Sequence, residues 1–120
     1  MPDEILIFAV VTRNAMIVTF EETYLQELYE KGTSGDKKHR YQPDIVRRYQ
    51  RCIDYLLDAR GTEDLMRINS LNYEMLKGDK QGISSIRVNN KYRVEFTVRE
   101  TSEEPVITIC NILDLSNHYK

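Results

Sequence analysis

Tyr92-Arg93-Val94-Glu95-Phe96-Thr97-Val98-Arg99 alternates apolar with polar side chains. Successive side chains of an extended chain point to opposite sides, so this two-residue period predicts a strand with one buried face. Ile86 and Val88 start the same pattern on the near side of Asn89-Asn90-Lys91, which is therefore expected to be a hairpin turn. Beyond a polar connection from Glu100 to Pro105, the stretch Val106 to Leu113 is apolar on both faces apart from Thr108 and Asn111. That is the pattern of a strand inside a sheet.

Upstream the period lengthens. Ile45, Val46, Tyr49, Cys52, Ile53, Leu56 and Leu57 repeat at helical spacing across residues 44–59, with Pro43 near the start. Burying that stripe, at about 1.5–3 kcal/mol per large side chain, turns Arg47, Arg48 and Arg51 outward. A shorter helix over residues 21–31 sets Tyr24, Leu25, Leu28 and Tyr29 on one face. It places Glu21 and Glu22 in its first turn and Gly32 at a left-handed C-terminal cap. Met16 to Phe20 is a short β-prone run, and Thr62 is expected to cap a brief helical turn carrying Leu65 and Met66. The order β-α-α-β-β-β predicts an α+β fold. Two N-terminal helices cover one face of a largely antiparallel sheet of about four strands, and the other face is left for a ligand.

Composition narrows the function classes. A chain of 120 residues with 41% hydrophobic and 30% charged side chains is one domain, because two halves could not each bury a sufficient core. The longest apolar run, Ile5 to Val11, falls far short of the roughly 20 residues of a membrane-spanning helix. It also follows Asp3 and Glu4, where a signal peptide would be basic, so the expected location is the cytoplasm. Cys52 and Cys110 lie on apolar stretches as small hydrophobes, and a reducing compartment fits them. His39 has no ligand partners at metal spacing, and neither metal nor cofactor is expected.

The net charge of −2 conceals a strong segregation. From Lys37 to Arg51 six basic residues face one acid, Asp44, and from Lys77 to Arg93 five face Asp79. If folding joins the two segments, they form a cation-rich surface for phosphates, favoured by counterion release. A basic helix face can equally be a solvated one.

Leu76-Lys77-Gly78-Asp79-Lys80-Gln81-Gly82, Ser85-Ile86-Arg87-Val88-Asn89, and Tyr92-Arg93-Val94 with Phe96 together resemble the signature of the HigB-type toxins of the RelE superfamily. The resemblance runs from Met16 to about His118, so residues 16–120 are expected to be the toxin domain. Residues 1–15 are expected to be an extension outside it, either an upstream start or leader or an added edge strand. The resemblance implies the RelE-like microbial RNase fold and a type II toxin. Such a toxin would be a ribosome-dependent endoribonuclease cutting messenger RNA by 2′-hydroxyl attack without metal, held in check by a HigA-like helix-turn-helix antitoxin.

That chemistry requires a group to take the 2′-hydroxyl proton, a cation for the crowded phosphate and a donor for the leaving oxygen. By resemblance, Lys77 is assigned to catalysis as base or electrostatic stabiliser. Arg93, read on the polar side of its strand, can fork onto a phosphate, the alternative being an ion pair with Glu95 or Glu74. Related toxins commonly end on a Tyr-His pair, and here the types are reversed and later, as His118 and Tyr119. Glu74 stands where some relatives carry His. Lys80, Arg87, Asn89 and Lys91, with Arg47, Arg48 and Arg51, are candidates to hold RNA, although Asn89 and Asn90 are also ordinary turn residues. A non-enzymatic toxin like the gyrase-poisoning ParE proteins, or an inactive RNA-binding module of the same fold, is the alternative function.

Overall fold

The computed structural model describes residues 11–13, 16–103 and 106–117. Six strands form one sheet: β1 (Val11–Arg13), β2 (Met16–Phe20), β3 (Glu74–Met75), β4 (Ser84–Arg87), β5 (Tyr92–Glu100) and β6 (Thr108–Asn117). Their order is β1-β2-β6-β5-β4-β3. Three helices complete the fold: α1 (Thr23–Lys31), α2 (Pro43–Asp58) and α3 (Thr62–Met66). The α+β layout expected from the two periods is present. β2, β4, β5 and β6 are the strands read from the sequence, while β1 and β3 are short additions at the two edges.

Most ladders are antiparallel, but β2 runs parallel to β6, pairing Met16 with Thr108 through Phe20 with Ile112. This puts β6 inside the sheet between β2 and β5, in agreement with its apolar character on both faces. Between β5 and β6 the register slips at Glu95 and Phe96, so that Phe96 faces Ile112 and Glu95 faces Asp114. The bulge leaves Leu113 without an opposite number.

The helices bury Leu25, Leu28, Val46, Tyr49, Ile53, Leu56 and Leu57 against Val18, Ile86, Val94, Phe96, Ile112 and Leu115 of the sheet. Gly32 takes the left-handed cap expected of it, with φ +77° and its N–H bonded to the Leu28 carbonyl. Two local expectations shift. Glu22 is the extended residue before α1, so Glu21 and Glu22 precede its first turn. Gly61, not Thr62, precedes α3, and the Arg60 N–H is taken by the Asp64 carboxylate at 2.9 Å. Among the described residues, no helix is long and apolar enough to cross a membrane.

Candidate functional site

α2 is where the first basic segment becomes geometry. Its apolar stripe is locked into the core, so Arg47, Arg48 and Arg51 project outward as expected. Arg47 and Arg48 both lean on Asp44, at 3.4 and 3.1 Å, and these exposed pairs contribute little to stability.

Facing α2 is the β4–β5 hairpin, whose turn is built by Asn89. Its side-chain oxygen accepts the N–H groups of Lys91 and Tyr92, each at 2.8 Å, so Asn89 is a turn builder. Arg87 donates to the Asn90 side chain. Helix and hairpin enclose a cleft of about 740 Å³ lined by Arg48, Arg51, Arg87 and Lys91, with Asn89, Tyr92 and Asn117. Asp44 is the one carboxylate in that lining. Two segments distant in sequence thus supply four cations to one cleft. Arg47 lies outside its lining.

The face of β5 turned from the core carries Arg93 and Glu95, and both are buried. Arg93 lies on the side its alternation predicts, but it is not a free fork. Its Nε donates to Ser85 Oγ at 2.8 Å, and Nη2 donates to the Asn72 carbonyl at 2.8 Å with Glu74 at 3.6 Å. Of the two arrangements read for Arg93, the ion pair with Glu74 is formed, through Nη2. Glu95 accepts both a 2.8 Å and a 3.1 Å bond from Lys80 Nζ, and Ser116 Oγ donates to it at 3.1 Å.

Lys77 stands apart. It precedes a 3-10 turn (Gly78–Lys80) whose Gly78 has φ +67°, a conformation that explains the glycine of this loop. Lys77 lines a different hollow, with Met66, Met75, Leu76 and Ile83, at the β3 edge. Lys80, three residues on, is the lysine that turns onto the sheet. The lining of the Lys77 hollow does not include Arg93, which is buried in the sheet. His118 and Tyr119 lie outside the described residues, which end at Asn117 in the lining of the cleft.

Comparison with known proteins gives this geometry a family. The family model for the RelE-like toxin HigB of type II toxin-antitoxin systems matches residues 18–109. The chain belongs to that family. Toxin HigB-1 of Vibrio cholerae serotype O1 is 35% identical over 82 residues, covering 68% of this chain and 82% of the relative. The solved structure of a YoeB/ParE toxin from Agrobacterium tumefaciens has the same fold. It superposes with a TM-score of 0.50 at 15% identity, over 85% of this chain and 98% of that one. A HigB-like toxin of a type II pair has an antitoxin for a partner.

Sequence reasoning missed several contacts around this surface. Glu95, read only as a possible ion-pair partner of Arg93, instead holds Lys80 on the sheet and accepts from Ser116. The structure ties the Tyr41 hydroxyl to the Leu115 carbonyl at 3.0 Å and its ring edge-on to Tyr92. The available signal was alternation around the bulge, which period alone does not reveal.

Proposed function

We propose that this HigB-like toxin is a ribosome-dependent endoribonuclease that cuts messenger RNA by attack of the RNA's own 2′-hydroxyl, without a metal ion. The observation that carries the reading is the cleft between α2 and the β4–β5 hairpin, where Arg48, Arg51, Arg87 and Lys91 converge. A single strand laid there exchanges its counterions for these cations.

The chain continues from Asn117, in that lining, directly into His118 and Tyr119. Histidine is suited to moving a proton near neutral pH, and a phenol to donating to a leaving oxygen. In this proposal His118 takes the proton of the attacking 2′-hydroxyl, and Tyr119 gives one to the 5′-oxygen as its bond to phosphorus breaks. The cleft cations and Lys80 stabilise the phosphorane charge, and Arg93 braces the sheet through Ser85 and the Asn72 carbonyl. Lys77 contributes at the margin of the path. An antitoxin of the HigA-like helix-turn-helix type, acidic where it meets the cleft, would neutralise the same surface.

The test is to express the chain in cells, with and without its antitoxin, and map messenger 5′ ends by primer extension. Position-specific cuts on translated messages that vanish in His118→Ala and weaken in Arg51→Ala are expected. Growth arrest with intact messages and halted DNA replication would replace this reading with a ParE-like one.

A further inference from the structure

The far edge of the sheet is open. β3 pairs with β4 on one side, and among the described residues no strand lies on the other. The Leu76 N–H is bonded to the Ile83 carbonyl at 2.8 Å, so Leu76 faces inward across the ladder. By the alternation of an antiparallel pair, the N–H and carbonyl of Met75 then point outward from the sheet edge. Beside them lies the hollow of about 720 Å³ that Lys77 lines, with apolar walls formed by Met66, Met75, Leu76, Ile83 and Val98. Tyr73, also in the lining, is tied to the sheet: its hydroxyl donates to Ser84 Oγ at 2.9 Å and its ring meets Phe96 edge-on.

Met66 and Met75 are 52% and 70% exposed, two of the three large apolar side chains that the described residues leave to water, and both border this one hollow. Apolar surface gathered in this way marks a place of contact, and methionine adapts its shape to what covers it. Lys77 is the one charged residue of the lining and forms no ion pair among the described residues. Its complement is a carboxylate, whereas a second copy of the hollow would bring another lysine. None of these lining residues lines the basic cleft, so the two places can be held independently.

We propose that the β3 edge and its hollow are a docking site for an extended segment of the antitoxin. The segment pairs with the outward N–H and carbonyl of Met75 as an added strand, sets apolar side chains among Met66, Met75 and Ile83, and turns an Asp or Glu to Lys77. This hold is separate from the acidic contact proposed at the cleft and does not depend on the RNA-cutting reading. Apolar burial carries it, so it persists at salt concentrations that screen the cleft.

Biolayer interferometry between the full chain and its full-length antitoxin, across a salt series, tests it. Met66→Ser/Met75→Ser is expected to weaken binding about tenfold with an unchanged salt slope. Met66→Leu/Met75→Leu should keep the wild-type affinity, and Lys77→Gln should weaken binding about threefold and flatten the salt slope. Arg51→Ala reports on the cleft and should change the salt slope without altering the loss caused by the serine pair. A serine pair that binds like the wild type overturns the docking site, and an altered slope in Arg51→Ala then leaves the hold at the cleft standing. Free toxin that sediments as a dimer in the wild type and as a monomer in the serine pair gives the hollow to a second copy instead. The serine pair should melt as the wild type does. Should it melt lower, Met75→Lys alone, at the more exposed position, repeats the test, and undiminished antitoxin binding by that variant overturns the proposal.

Discussion

Lys80 holds both oxygens of the Glu95 carboxylate, at 2.8 and 3.1 Å, although the Lys80 side chain is 51% exposed and that of Glu95 only 9%. The asymmetry sets what the pair does. The exposed ammonium is screened by water, whereas the buried carboxylate depends on Lys80 and Ser116 for its hydrogen bonds.

Lys80→Met is therefore expected to destabilise the fold by about 1 kcal/mol in urea titration, mostly through the carboxylate it strands. A double-mutant cycle with Glu95→Gln should return a coupling of similar size. Additive effects would show that the two groups do not act as a pair.

Arg93 is expected to behave as a structural residue. Arg93→Ala leaves Ser85 Oγ and the Asn72 carbonyl without their donor and should cost about 2–3 kcal/mol. Arg93→Lys restores the charge but not the fork, and should recover less than half of that. Thermal melts and RNA cleavage measured on the same samples should fall together. An Arg93→Ala protein as stable as wild type yet inactive would instead make the guanidinium a direct participant.

Asn89 separates turn from contact. Asn89→Ala removes the acceptor for two backbone N–H groups and should cost about 1 kcal/mol, whereas Asn89→Asp keeps the acceptor and most of the stability. RNA affinity that tracks the amide instead of the fold would restore Asn89 as a contact residue.

Alkaline pH should unfold the protein through its tyrosines. Burial first, and then the charge of Asp114, push the Tyr41 phenol up to about 12, and burial drives Tyr24 and Tyr49 well above their ordinary value. An unfolded tyrosine ionises near 10, so its protonated form is the one the fold favours. Stability is then full below pH 10 and declines as pH rises from about 10 to 12. Absorbance at the phenolate band should rise together with loss of far-ultraviolet signal; phenolate appearing near pH 10 in folded protein would contradict it.

The cysteines should be inert. Burial pushes both Cys52 and Cys110 thiols up to about 12, which leaves on the order of one in ten thousand as thiolate at pH 8. Iodoacetamide should modify neither in native protein and both in denaturant. Rapid native labelling of either would show that its pocket opens.

The amino-acid order by itself determined the elements and their buried faces. The helical stripe from Ile45 to Leu57 and the alternation from Tyr92 to Val98 each state, through their period, which side chains leave water. The LKGD, SIRVN and YR segments likewise led to the toxin family. Period does not state what stands opposite a polar residue. Arg93 is buried because Asn72 and Ser85, 21 and 8 residues away, arrive beside it through the β4 ladder and the turn before β3. Lys77 and Lys80 are equivalent as letters, and the left-handed Gly78 between them sends one to the edge and the other to Glu95. The union of two basic segments in one cleft is likewise a tertiary fact. Charge in a sequence is a list, and only packing of α2 against the sheet turned it into a field with a direction.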